Sequence, residues 1–272
     1  MSPLDLPETH RARYARLVRG VAATDDPATA GSALRALARW TPWSAEAPGV
    51  LAAAVTDLTN RETWRSAASA LIEAASGAPH GLAALLDTLR TLAGSTADED
   101  DDAGERRDRP ARQRVVLLAE QLGGSGLGSE AARRPVALAA AELLGANDAY
   151  AAQAAVLAAE CVDLAAVPPR LDRVTALAGP GRPVLAARVA DTVRGRLESR
   201  EQPGDAEALR VEAAALASHG GHAEGLMAVA VTGALGSRED WPEPWREGLR
   251  ALRRHPVPDV RDAALEETTA YE

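Results

Sequence analysis

The feature that most constrains the fold of this chain is the regular spacing of residues that start and stop helices. Proline, glycine, aspartate and asparagine divide the sequence into about fourteen segments of helical length. Asp26-Pro27 illustrates the pattern, because aspartate caps a helix and proline is accepted at its first position. The predicted helices are Glu8–Ala23, Pro27–Trp40, Ser44–Thr59, Arg61–Ser76, His80–Ala93, Pro110–Leu122, Ser129–Leu144, Asp148–Leu164, Pro168–Ala178, Pro183–Ser199, Asp205–His219, Ala223–Leu235, Pro242–Arg254 and Asp259–Ala270.

The composition indicates an all-α fold. Hydrophobic residues make up 46% of the 272 residues, yet aromatic residues make up only 3% and phenylalanine is absent. Most of the apolar content is alanine, leucine and valine, and the first two are strong helix formers. The short connections favour antiparallel neighbours. Taken in pairs, the predicted helices recur about every 35 to 45 residues, which is the period of helical repeat arrays.

The last predicted helix has a relative within the chain. The stretch PDVRDAALEE, from Pro258, aligns with ETWRSAASAL, from Glu62, and places Val260-Arg261 on Trp64-Arg65. The segment Asp148–Ala155 has the same build without the arginine. This unit resembles the second helix of HEAT repeats, in which aspartate is followed by an apolar residue, arginine and small residues. The resemblance implies an α-solenoid, a HEAT-like superhelix of about six to seven antiparallel helix pairs, forming one domain over residues 1–272.

The resemblance also assigns structural roles within the repeat. Asp259 suits the positive end of a helix dipole, and Arg65 and Arg261 are the positions that can bond across to a neighbouring repeat. The alternative to the α-solenoid is an irregular helical bundle.

A terminal copy of the repeat should present a polar outer face, and the residues that suit this cap are Glu266, Glu267, Thr268 and Thr269.

The charged residues exclude several enzyme classes. All 30 basic residues are arginine, so a Walker A lysine and a Schiff-base lysine are both excluded. The chain also lacks a Gly-x-Ser-x-Gly elbow and a His-Glu-x-x-His motif. A net charge of −9 argues against a nucleic-acid partner. We therefore predict a protein that is not an enzyme and needs no cofactor.

Two stretches invite a metal-site interpretation that their residues do not support. Ser218–Glu224, SHGGHAE, holds two histidines and a glutamate, but it is better explained as a helix end and a glycine turn. The carboxylates in the stretch at about 95–109 resemble a calcium loop. Ala103 stands where that loop needs glycine, and Arg109 where it needs glutamate. We predict a mobile charged loop there and no metal site.

Tryptophan offers the best candidates for partner binding. Two tryptophans lie in RWTPW, two in WPEPW and one on the HEAT-like helix. Such residues either pack beneath loops or contribute most of the energy at a binding surface. The candidate partner-binding residues are Trp40, Trp43, Trp64, Trp241 and Trp245.

An extended repeat surface usually holds a protein or peptide, so we predict an interaction scaffold or adaptor. One alternative is a HEAT-like DNA-binding protein of the alkylpurine DNA glycosylase type. Its basic face is not evident, because Arg188, Arg194 and Arg196 scatter over several faces of their helix. A second alternative is the sensor module of a larger signalling or defence protein.

The single cysteine and the apolar segments favour a cytoplasmic location. Cys161 cannot form an internal disulfide, and its apolar helix predicts a buried structural thiol. The N-terminal sequence lacks the apolar stretch of a signal peptide. No segment has 18 uncharged apolar residues, so no membrane partner is expected.

Overall fold

The computed structural model describes residues 7–22, 26–95, 110–124, 129–199 and 205–269. Over these ranges the protein is all-α, with fourteen helices that match the fourteen predicted segments to within a few residues. No helix in these ranges is long and apolar enough to cross a membrane. Apart from Ser95, the charged loop predicted at about 95–109 lies outside the described residues.

The chain forms two compact units, Met1–Tyr150 and Ala151–Glu272. The first contains α1 (Glu8–Ala22), α2 (Pro27–Trp40), α3 (Glu46–Thr56), α4 (Trp64–Gly77), α5 (Pro79–Ala93), α6 (Pro110–Gly123) and α7 (Glu130–Gly145). The second contains α8 (Ala151–Cys161), α9 (Leu171–Ala178), α10 (Pro183–Glu198), α11 (Ala206–His219), α12 (His222–Arg238), α13 (Glu243–Leu252) and α14 (Pro258–Glu266). A single domain over residues 1–272 stays a prediction.

The cap predicted at Asp26-Pro27 is confirmed. The Asp26 carboxylate accepts the backbone N–H groups of Ala28 and Thr29 at 3.4 and 3.1 Å, and Pro27 is the first residue of α2. The Thr29 hydroxyl also donates to this carboxylate. These hydrogen bonds hold the pKa of Asp26 below its usual value, because they stabilise the charged form.

Helices of the first unit pack against alternate helices as well as against their sequence neighbours. Helix α2 contacts α4, α3 contacts α5, and α5 contacts α7. Alanine and leucine fill these contacts, and Leu37, Leu71 and Leu89 are almost completely buried. Contact between alternate helices is what a stack of helix pairs requires, because each pair buries its apolar face only against its neighbours.

Helix α4 begins three residues later than the sequence predicts. The sequence predicts a helix from Arg61, but α4 starts at Trp64. The Asn60 side chain instead holds the preceding loop, because its amide nitrogen donates to the Ala54 carbonyl at 3.2 Å and its oxygen accepts the Thr63 N–H at 3.1 Å. The hydrogen bonds of Asn60 to Ala54 and Thr63 take the place of the extra helical turn that the sequence predicts.

Helix α12 is the centre of the second unit. It contacts α9, α10, α11, α13 and α14, and all ten residues from Met227 to Gly236 are buried. Its glycines leave room for these neighbours. A Cβ atom at Gly225 would lie 2.6 Å from the Val260 side chain, and one at Gly236 would lie 2.5 Å from the Trp241 ring. Helix α12 therefore has no solvent-facing stripe along most of its length.

The polar cap predicted after α14 is corrected in part. Thr268 is exposed, but Glu267 and Thr269 are only 9% and 8% exposed. The Glu267 carboxylate forms an ion pair with the Arg194 guanidinium of α10, with Nη2 to Oε2 at 3.2 Å. A Cβ at Gly233 would lie 2.7 Å from this carboxylate. Glu267 is buried because an arginine neutralises it and a glycine leaves space for it.

The aligned repeat positions make different contacts. Arg261 donates to the backbone carbonyls of His255 and Pro256 at 2.8 and 3.0 Å, within its own turn and not across to another helix pair. Arg65 lies over the Trp64 ring, with its guanidinium carbon 5.4 Å from the ring centroid. The Asp259 carboxylate pairs with His222 Nε2 at 3.0 Å. It therefore joins α14 to α12.

Candidate functional site

Two of the candidate tryptophans form an aromatic cluster in the first unit. Trp40 stacks on Tyr14 with ring centroids 4.2 Å apart, and Trp43 meets Trp40 edge-on at 6.2 Å. Both tryptophans are half-buried, whereas Tyr14 is 40% exposed. The cluster joins α1 to the end of α2 and keeps part of its aromatic surface in solvent.

The other three candidate tryptophans are buried. Trp64 packs beneath the guanidinium of Arg114, whose central carbon lies 5.1 Å from the ring centroid. In the second unit, Trp241 packs on α12, and the Trp245 indole N–H donates to Glu239 at 2.7 Å. Trp245 also lines a cavity of about 410 Å³. Packing and hydrogen bonding account for these three side chains, and their role in partner binding stays a prediction.

The histidine-containing turn has the structure that the sequence indicates. Helix α11 ends at His219, and Gly220 adopts a φ of 71°, which favours glycine. Among the described residues, no group of three His, Cys, Asp or Glu side chains is placed to hold a metal ion. The Cys161 thiol is buried in α8, which confirms the structural interpretation of that residue.

The second unit has an open groove between the 167–172 segment and α11, which we call the α11 groove. Its volume is about 580 Å³, within the range of ligand-binding clefts. Leu216, Ala208 and Ala215 line it on the side of α11. Val167 and Val211 also line it, and they are 70% and 55% exposed. Apolar side chains therefore face solvent on both of its sides.

One carboxylate holds the two sides of the α11 groove together. Glu212 of α11 accepts the backbone N–H groups of Arg170 and Asp172 at 3.1 and 3.4 Å, and the Leu171 N–H donates to it as well. These N–H groups lie at the start of α9, where they have no carbonyl acceptor within the helix. A negative charge at this position is stabilised by the helix dipole. Arg170 has a φ of 63°, which turns the chain sharply into α9.

The rim of the α11 groove is acidic. Asp172, Asp205, Glu207 and Glu212 line it. Two of these carboxylates already form ion pairs, Asp172 with Arg170 at 3.5 Å and Glu207 with Arg210 at 2.5 Å. The Arg210 guanidinium lowers the pKa of Glu207 by hydrogen bonding to its carboxylate. The rim therefore holds four carboxylates against the guanidinium groups of Arg170 and Arg210, and this excess of acidic groups gives the open apolar surface a field that favours cations.

We expect Glu212→Ala to lower the free energy of unfolding by about 2 kcal/mol, because charge-assisted hydrogen bonds contribute roughly 1.5–3 kcal/mol. Glu212→Gln should lose less, since an amide oxygen still accepts a backbone N–H. Thermal and urea unfolding measure both. Glu266→Ala on α14, an exposed glutamate, is the control. A loss for Glu212→Ala no larger than for this control would contradict the bridging role of Glu212.

The chain matches no protein-family model, and it has no significant match among curated proteins or solved structures.

The sequence contains one local signal for the α11 groove. The two prolines of VPPR, residues 167–170, interrupt the chain after the preceding helix, and the predicted helix starts at Pro168; in the structure α9 starts three residues later, at Leu171. Val211 stands between Arg210 and Glu212 on a predicted helix, where an isolated apolar residue is unremarkable in sequence. Only the folded chain brings Val211 and Val167, 44 positions apart, to the same opening.

Proposed function

We propose that this chain is a HEAT-like helical-repeat protein that binds a partner protein or peptide and does not catalyse a reaction. The packing of alternate helices within the first unit supports the repeat architecture, as do the contacts of α8 with α10, α10 with α12, and α12 with α14 in the second. Such arrays present extended surfaces, and their usual role is to hold another molecule through many modest contacts.

The observation that carries the proposal is the open apolar α11 groove. Val167 and Val211 face solvent beside a cavity that is already shaped and held by Glu212. Burying each valine against an apolar side chain of a partner contributes roughly 1.5 kcal/mol. Two exposed valines at one preformed opening are therefore a favourable place for an apolar anchor residue.

The acidic rim selects the chemistry of that partner. A segment that presents leucine or valine next to arginine or lysine places its apolar side chain between the valines and its cation beside Asp205 or Glu212, the rim carboxylates that the guanidinium groups of Arg170 and Arg210 do not pair with. The rim charges steer such a segment towards the groove and oppose an acidic one. The occupant we propose is a basic, apolar segment of a protein.

Fluorescence anisotropy tests this site with three labelled peptides of equal length. Their central residues are Arg-Leu-Arg, Arg-Ser-Arg and Glu-Leu-Glu. We expect the first to bind at least tenfold more tightly than the others, which corresponds to about 1.4 kcal/mol. Equal binding of all three peptides would contradict the proposal.

Val211→Ser should weaken binding of the Arg-Leu-Arg peptide about tenfold, because it removes apolar contact of roughly 1–2 kcal/mol. Val184→Ser is the matched control, since Val184 is 82% exposed on α10 and lies outside the groove. Circular dichroism checks that both variants stay folded. If Val184→Ser weakens binding as much as Val211→Ser, the peptide does not bind in the α11 groove.

A further inference from the structure

The outer face of α1 carries a basic, apolar surface that the rest of the described chain leaves exposed. Leu17 is 63% exposed and Tyr14 is 40% exposed, although both are large apolar side chains. Arg13 precedes Leu17 by four residues, so the two lie next to each other on the helix surface, and Arg13 is exposed. We call Arg13, Tyr14 and Leu17 the α1 face.

The backbone near Leu17 is accessible to a partner. Gly20 lies one turn after Leu17 on the same side of the helix, and a Cβ atom there would meet nothing within 4 Å. Tyr14 is held on its other side by stacking on Trp40 at 4.2 Å. The α1 face is therefore a surface in which Tyr14 is held in place and Leu17 protrudes into solvent.

The charge of α1 is opposite to that of the whole chain. Helix α1 contains four arginines and one acidic residue, Glu8, and α2 contains two arginines and no acidic residue. The chain as a whole has a net charge of −9. Helix α1 is thus basic where it exposes a leucine, while four carboxylates line the α11 groove, which exposes two valines.

We infer that the α1 face of one copy docks into the α11 groove of a second copy of this chain. This inference rests on the proposed function of the groove. Leu17 supplies the apolar anchor between Val167 and Val211, and Arg13 supplies the cation for the rim carboxylates. The α1 face has the basic and apolar character that we propose for the occupant of the groove.

The two docking surfaces differ, which determines how copies assemble. Each copy carries one α1 face and one α11 groove, so the contact is heterologous and either closes into a ring or a reciprocal pair or continues as an open chain. One helix face in one groove is a small interface, so association is weak, concentration-dependent and reduced by salt.

Sedimentation velocity over about a hundredfold range of protein concentration tests the inference. We expect the mean sedimentation coefficient to rise with concentration at low salt and to fall back when salt is added. Leu17→Asp and Val211→Asp should each abolish this rise, since each places a carboxylate in the apolar contact. Val184→Asp, which changes a valine that is 82% exposed outside the groove, should leave it intact.

The decisive measurement is to mix the two variants that are expected not to associate with themselves, Leu17→Asp and Val211→Asp. The Leu17→Asp chain keeps an intact groove and the Val211→Asp chain keeps an intact α1 face, so an equimolar mixture should form a one-to-one complex and nothing larger. A mixture that stays monomeric while the wild type associates would overturn this pairing of surfaces. If the wild type is monomeric at every concentration but its groove binds the Arg-Leu-Arg peptide, self-docking is wrong and the proposed function stands. If neither association nor peptide binding occurs, both fail.

Discussion

Gly81→Ala is expected to cause one of the largest losses of stability that a single methyl group can produce in this protein. Helix α5 starts directly behind α4, and at Gly81 its backbone passes close to the last turns of α4. A Cβ atom at this position would lie 2.2 Å from the Ala74 carbonyl oxygen and 2.9 Å from the Ala75 nitrogen. Both are backbone atoms of a helix, so no flexible side chain can move to relieve the contact, and the two helices must separate.

Forced overpacking costs about 1–3 kcal/mol and more where the backbone must shift, so we expect a loss of about 3 kcal/mol or more. In a unit of about 150 residues this lowers Tm by roughly 6–12 °C. Differential scanning calorimetry measures it. Gly49→Ala is the matched control, because Gly49 is an exposed glycine of α3 with nothing within 4 Å of a Cβ atom. This control should gain about 0.5–1 kcal/mol from the higher helix propensity of alanine. A Gly81→Ala protein as stable as the wild type would show that α4 and α5 are not in this close contact.

Arg114→Met is expected to have an effect of similar size for a different reason. The Arg114 guanidinium is buried, with only 2% of the residue exposed. It donates to the carbonyl oxygens of Asp57 and Asn60 at 2.7 and 2.8 Å, and also to that of Val55. Burial lowers the pKa of Arg114, because removing a cation from water is costly. The three carbonyl bonds and the Trp64 ring offset that cost.

Methionine fills a similar volume but leaves the carbonyl oxygens of Val55 and Asn60 without this donor, while the Asp57 carbonyl keeps the Asn60 N–H at 3.0 Å. Each buried acceptor left unsatisfied costs roughly 1–3 kcal/mol, so we expect Arg114→Met to lose about 3 kcal/mol or more. Arg114→Lys should recover only part of this, since an ammonium group cannot reproduce the planar arrangement of donors. Thermal unfolding compares both with Arg188→Met, which changes an exposed arginine of α10. If Arg114→Met were no more destabilising than Arg188→Met, the guanidinium would not be holding the α3–α4 loop.

The places where helices occur were predictable because their determinants are local. Asp26 and Pro27 act within one turn of the helix that they begin, and alanine-rich segments favour helix wherever they occur. A boundary can shift where a distant residue intervenes. Helix α4 starts at Trp64 and not at Arg61, in a loop whose carbonyls are held by Arg114 of α6.

The burial of polar and aromatic residues was not predictable, because it depends on partners far along the chain. Glu267 looks like a solvent-exposed cap residue in the sequence, but Arg194 lies 73 positions earlier and neutralises it. Trp64 looks like a surface anchor, but an arginine from another helix covers its ring. The positions of the tryptophans in the sequence show where large side chains occur, but they do not show whether another residue buries them.

By itself, the sequence determined the fold class, the number of helices and most of their ends, since helix propensity and capping act between residues a few positions apart. It also excluded chemistry that needs lysine. The tertiary structure alone decided which of the exposed residues share a surface. Val167 and Val211 line one groove, and Glu212 reaches back to the start of α9. Arg13 and Leu17 stay on the outer side of α1. Such groupings arise only when helices pack, because packing brings together residues that no local interaction connects.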